Sequence, residues 1–121
     1  MAAVLEARQI TKSFPRGEGT LEVLRTCDFR LAAGEAVAVI GASGSGKSTF
    51  LNILGGLDSP TSGEVLAGGA PLDFGDHGVL TRWRSAGVGF VFQFHFLLPD
   101  FTARENLLIP VHSRGRVAAA D

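Results

Sequence analysis

With 121 residues, 45 % of them apolar, the chain has the length of one domain or part of one, and a chain of this size can bury roughly two-thirds of its unfolded surface. Eleven basic residues against 12 acidic ones give a formal net charge of −1, which leaves no basic field of the kind that nucleic-acid binders use. The single cysteine, Cys27, excludes an internal disulfide and reads as a small buried hydrophobe; no apolar run approaches the ~20 residues that span a bilayer, and the amino terminus has no signal-peptide pattern.

Residues Val4 to Phe14 mix apolar and polar positions and predict a strand, and Pro15 to Gly19 is turn chemistry. Leu21 to Leu31 predicts a second strand. There Cys27, Phe29 and Leu31 alternate with Thr26, Asp28 and Arg30, so one face is wet. Two strands joined by a turn make an antiparallel hairpin. Ala36 to Ile40 is a continuous apolar run that suits a strand buried on both faces.

Gly41-Ala42-Ser43-Gly44-Ser45-Gly46-Lys47-Ser48-Thr49 follows at once and fits the phosphate-binding pattern G-x-x-x-x-G-K-[ST]. The backbone of such a loop must come very close to its ligand. Glycines at 41, 44 and 46 carry no Cβ and can take positive φ, so that successive N–H groups form an anion nest. Lys47 brings a positive charge to the β- and γ-phosphates, and the Ser48 hydroxyl is placed to ligate Mg²⁺. Beyond the loop, Phe50, Leu51, Leu54 and Leu57 recur at helical spacing, and Gly55-Gly56 can stop the helix. Its N-terminus then aims a partial positive charge at the phosphates.

Asp58 to Gly63 predicts a loop, Glu64 to Ala67 a short strand, and Gly68 to Pro71 a break. Residues 72 to 86 are ambiguous, with a short helix over Val79 to Arg84 as the best reading. Gly87 to Gln93 predicts a buried strand ending in a polar residue, followed by a mostly apolar loop from Phe94 to Phe101. Thr102-Ala103-Arg104-Glu105 is a capping box, which starts a helix at Ala103 that should stop before Pro110. From His112 on there is no periodicity, and a frayed end is expected. The fold class expected is α/β: a P-loop NTPase arrangement in which an antiparallel hairpin leans on a strand–phosphate loop–helix core.

Four segments carry a resemblance to ABC-transporter ATP-binding subunits, running from about Val4 to Pro110. Ile10 to Phe14 resembles the segment whose aromatic stacks on adenine. Gly41 to Thr49 is the phosphate loop, Ser62 to Val65 resembles the motif opening the next strand, and Phe90 to Gln93 resembles the strand leading into the Q-loop. Phe94 to Asn106 is similar to the lipoprotein-releasing (Lol-type) ATPases, and related macrolide-exporter and cell-division ATPases share much of it.

The resemblance implies ATP and Mg²⁺ as ligands. Phe14 would offer its π-face to adenine, and Gln93 an amide oxygen to Mg²⁺ beside Ser48. The residues alone leave alternatives: Phe14 as a core aromatic of the hairpin, Gln93 as a polar strand terminus, and Phe94 to Phe101 as a buried loop. The implied partners are integral membrane permease subunits, met through residues 93–101, and a second ATP-binding subunit in a homodimer. The implied location is the cytoplasmic face of the inner membrane.

Other patterns resolve as decoys. Asp73-Phe74-Gly75 spells a kinase metal-binding triplet, but its companion motifs are absent and it reads as a loop. His77, His95 and His112 have no metal-ligand spacing. The family's signature segment, acidic strand end with catalytic Glu, and switch His have no counterpart in the sequence. Residues 1–121 are therefore expected to form a partial ATP-binding domain, the N-terminal half, with the Q-loop near 93 and a helical subdomain starting at about 94. No catalytic residue is assigned. The reading carries two alternatives: a macrolide-exporter-like or cell-division-type ATPase, and a nucleotide-binding module without hydrolysis. By itself such a chain is expected to aggregate or fold poorly and to turn over no ATP.

Overall fold

The computed structural model describes residues 3–92 and 97–113. Two long strands, β1 (Ala3–Arg16) and β2 (Gly19–Ala32), pair antiparallel across a tight turn in which Gly17 takes φ +60°. β3 (Ser62–Ala67) adds to the other edge of β1, and β4 (Ala70–Pro71) is a two-residue return on β3. The sheet order is β2-β1-β3-β4, antiparallel throughout. The break expected at 68–71 is thus a hairpin turn: Gly68 and Gly69 both have positive φ, which lets the chain reverse there.

The hairpin carries a bulge that fixes its shape. Arg8 and Gln9 fall between the pairs Ala7↔Phe29 and Ile10↔Cys27, and Gln9 sits at φ +50°. The Gln9 N–H, diverted from the ladder, donates to Asp28 Oδ1 at 2.9 Å. Gly63 of β3 lies against the same bulge. A Cβ there would stand 2.3 Å from the Gln9 carbonyl oxygen, so only glycine fits.

Helix α1 (Lys47–Leu54) lies on one face of this sheet. Phe50, Ile53 and Leu54 join Ala7, Ile10, Leu24 and Val65 in the core, and Phe29 meets Phe50 edge to face at 5.9 Å. The inward face is therefore 50/53/54; Leu51 and Leu57, assigned to it by spacing, are exposed. Cys27, Phe29 and Leu31 are half-buried while Thr26, Asp28 and Arg30 are exposed, as the alternation requires. Cys27 packs at the margin of the core rather than inside it.

Helix α2 (His77–Arg82) starts two residues before the expected helix, because Asp76 caps it by accepting from Gly78 and Val79 N–H at 2.9 and 3.2 Å. A π-helical turn, Trp83–Gly87, continues it. Helix α3 (Ala103–Ser113) runs past Pro110, where a stop was expected. A proline inside a helix lacks the N–H that would reach the Asn106 carbonyl and crowds that carbonyl with its ring, which weakens or kinks a helix without always ending it.

Two expected strands are not strands. Ala36–Ile40 has no pairing partner among the described residues, and Val37 and Ile40 are 49 % and 91 % exposed. Residues 88–92 likewise form no ladder, and Val91 is fully exposed. A strand exists only where a neighbouring strand takes up its N–H and C=O groups in a ladder, and no described strand runs alongside either segment. The α/β class and the hairpin–phosphate loop–helix arrangement stand without them.

Candidate phosphate-binding site

The loop Gly41–Gly46 leads directly into α1, and two glycines meet distinct needs. Gly46, the N-cap, sits in the left-handed region at φ +98°, and a Cβ there would press 2.9 Å from Leu24 Cδ2 and 3.1 Å from the Val23 carbonyl oxygen. The hairpin strand β2 therefore rests against the loop, and only glycine allows that approach. Gly41 is not at positive φ, in contrast to the expectation; its added Cβ would instead lie 2.6 Å from Ser45 Oγ. Gly44 takes φ +80° in open space. Ser45 N–H closes the turn on the Ala42 carbonyl at 3.1 Å.

No side chain caps the N-terminus of α1, and no acidic residue stands in its first turn. The first N–H groups of the helix, which no side chain caps, line the mouth together with Lys47, Ser48 and Thr49. Lys47 Nζ reaches back across the loop to the carbonyls of Gly41 and Ala42, the latter at 3.1 Å. Its ammonium is thereby tied to the first carbonyls of the loop. The resulting cleft of about 350 Å³ is lined by Val23, Ser43, Gly44, Gly46, Lys47, Ser48 and Thr49. Its polarity is that of an anion site: backbone donors, hydroxyls and one cation, with no carboxylate among the lining residues.

Phe14 lies near the tip of the hairpin, opposite Leu21, and is 37 % exposed. It is absent from the buried cluster, so the core-aromatic alternative does not describe it. One feature was invisible in the sequence: Lys12 Nζ stands 5.0 Å from the centre of the Phe14 ring. The same nitrogen donates to Asp58 Oδ1 at 3.2 Å and to the Ser59 carbonyl at 2.7 Å. The Asp58–Ser62 loop is stitched along β1 by Thr61 N–H to the Thr11 carbonyl and Ser13 N–H to Thr61 Oγ1, each at 2.9 Å. An i, i+2 pair on a strand shares one face, which is the only sequence signal for the Lys12–Phe14 contact.

Gln93 and residues 94–96 lie outside the described residues. Of the apolar loop that follows, Leu97, Leu98 and Phe101 are exposed, at 57 %, 45 % and 47 %, so for these three the buried-loop alternative fails. Asn106 clasps the loop to α3: its Oδ1 accepts from Leu98 N–H at 2.9 Å, and its Nδ2 donates to the Leu98, Phe101 and Thr102 carbonyls. The capping box forms as read. Thr102 N–H donates to Glu105 Oε1 at 2.9 Å and Glu105 N–H to Thr102 Oγ1 at 3.1 Å. The backbone hydrogen bond from Thr102, and then that of its side chain, holds the Glu105 carboxyl below the usual range. Asp73 Oδ1 accepts from Gly75 N–H at 2.9 Å, which makes the Asp-Phe-Gly triplet a turn.

The sequence profile of the ABC transporter family matches residues 24–121. The chain belongs to the ABC transporter family. Among curated relatives, the lipoprotein-releasing system ATP-binding protein LolD of Idiomarina loihiensis is 46 % identical over 114 residues, 94 % of this chain and 50 % of its own length. LolD 2 of Rhodospirillum rubrum is 50 % identical over 107 residues, 88 % of this chain and 46 % of that protein. The chain thus spans about half the length of the curated relatives it matches. The ATP-binding cassette MJ0796, solved as a dimer in a post-hydrolysis state bound to ADP and Pi, superposes with a TM-score of 0.87 at 38 % identity. That match covers 96 % of this chain and 51 % of the cassette.

Proposed function

We propose that residues 1–121 form the nucleotide-gripping part of an ABC-type ATP-binding subunit, with the Q-loop near Gln93 and a helical subdomain from about residue 94. The observation that carries this is the uncapped start of α1, fronted by the Gly41–Gly46 loop and spanned by the Lys47 ammonium. The backbone of residues 41–49 wraps the phosphates: Gly41, Ala42, Ser43, Gly44, Ser45, Gly46, Lys47, Ser48 and Thr49 each contribute backbone or side chain. Lys47 exchanges its two carbonyl partners for β- and γ-phosphate oxygens. Phe14 stacks on the base.

The hydroxyls of Ser48 and Thr49 line the cleft, and such hard oxygen donors suit Mg²⁺, which is held by few protein ligands and completed by phosphate and water. Ser48 and Gln93 would hold the ion, and its role is to neutralise charge on the phosphates. No carboxylate lines the cleft, so this chain's own described residues grip nucleotide rather than activate an attacking water.

The named relatives support a finer reading, release of lipoproteins from the inner membrane by a parent that hydrolyses ATP as a homodimer. In that reading the exposed Leu97, Leu98 and Phe101 belong to the surface that meets membrane permease subunits, on the cytoplasmic face. None of the described helices is long and apolar enough to cross a membrane.

Calorimetric titration of MgATP into wild type and Lys47→Ala tests the reading. The loss expected is roughly ten- to a hundredfold in affinity, the worth of a charge-assisted hydrogen bond. Equal affinities would remove the central assignment. In parallel, phosphate release by monodisperse chain should stay at background; sustained turnover abolished by Lys47→Ala would reveal a hydrolytic group in the chain.

A further inference from the structure

We infer that Lys12 is a positioning residue for the nucleotide base: its ammonium, anchored on Asp58 and Ser59, covers one face of Phe14 and presents the other face for stacking. The inference rests on the reading of Phe14 as the base-stacking aromatic. Three observations carry it. Lys12 Nζ stands 5.0 Å from the ring centroid, within the range of a cation–π contact. The ammonium does not swing freely, because two of its three donors are engaged, by Asp58 Oδ1 at 3.2 Å and the Ser59 carbonyl at 2.7 Å. The Lys12 side chain is only 12 % exposed, so the contact is partly desolvated and less screened than a surface one.

The consequence is a division of labour on one ring. Phe14 is 37 % exposed near the tip of the hairpin, where an unassisted aromatic would sample several rotamers. With Lys12 held against one face, the ring is fixed in plane and tilt, and a base meets a surface already in place. Less ordering is then needed on binding, which raises affinity without any direct contact between Lys12 and the ligand. The Asp58–Ser62 loop, stitched to β1, thereby takes part in base binding although it follows the far end of α1.

The test is a double-mutant cycle of Lys12→Met and Phe14→Ala in the 121-residue chain, with MgATP and magnesium tripolyphosphate as the two ligands. Tripolyphosphate occupies the phosphate loop and has no base. Lys12→Met should weaken ATP by about three- to tenfold, the range of a partly desolvated cation–π contact, and leave tripolyphosphate unchanged. It should add nothing in the Phe14→Ala background, and Lys12→Arg should restore ATP affinity. If Phe14→Ala weakens ATP while Lys12→Met does not, the stacking reading survives and the role of Lys12 is overturned. If Phe14→Ala leaves ATP affinity unchanged, both fall together. Equal weakening of ATP and tripolyphosphate by Lys12→Met, without rescue by Lys12→Arg, would make Lys12 a fold-holding residue only and overturn the inference. Should Lys12→Met not fold, Asp58→Asn loosens the same anchor. A loss confined to ATP then supports the inference, and no such loss overturns it.

Discussion

Ile40 and Ile53 flank the phosphate loop and meet opposite surroundings: Ile40 is 91 % exposed and Ile53 is 0 % exposed. Ile53 belongs to a region that is closed on itself. Its helix, α1, lies on a sheet whose long strands are paired, and seven residues from four elements converge on one core. Ile40 belongs to the other region, the runs 36–40 and 88–92, which are as apolar in sequence but have no ladder among the described residues. Between them and α1 lies an apolar groove of about 340 Å³, bordered by Leu5, Phe29, Val39, Leu51 and Phe90. Hydrophobicity states what a segment gains when covered; it does not supply the cover. The phosphate loop stands at the junction, and its local geometry depends on the closed side, through Val23, Leu24 and the start of α1.

Ile53→Ala should give the largest effect on stability. It empties a fully buried site, with an expected cost of about 2–5 kcal/mol in chemical denaturation. A cost below 1 kcal/mol would mean that the closed region is not packed as described. Thr102→Ala should cost about 1 kcal/mol of local helix stability at the start of α3, read by amide exchange at residues 103–106. The pH dependence follows from the lowered Glu105 carboxyl: the box contributes fully above the ordinary glutamate pKa and is lost as pH falls through the lowered one. A Glu105 carboxyl titrating in the ordinary range, by NMR, would deny the box. Ile40→Ser should be the smallest, within about 0.5 kcal/mol, and should reduce aggregation. A penalty comparable to Ile53→Ala would show the 36–40 run to be covered in solution and would dissolve the contrast.

What was legible in the sequence divides along the same line. The phosphate loop, the hairpin turn at Gly17, the helix after Lys47 and the Thr102–Glu105 box are short-range devices, whose chemistry lies within a few residues. They appear where the residues place them. The strands expected at 36–40 and 87–93 are long-range objects, and composition alone cannot say whether a neighbour exists. The inward face of α1 was misread at Leu51 and Leu57 because an eight-residue helix with apolar residues on most sides has no single apolar stripe. The helix through Pro110 exceeds its expected end because a proline weakens or kinks a helix without always ending it. The Lys12–Asp58 link joins residues 46 positions apart, a contact no local pattern encodes.

Hydrogen–deuterium exchange of the monodisperse chain, with and without MgATP, tests the account most directly. The amides of residues 43–49 should slow on adding MgATP. The amides of 36–40 and 88–92 should exchange rapidly in the free chain, and those of the central strand β1 where it is paired on both sides, and of the second half of α1, slowly in both states. An unchanged loop at 43–49 at saturating MgATP, or slow exchange at 36–40 in the free chain, would contradict it.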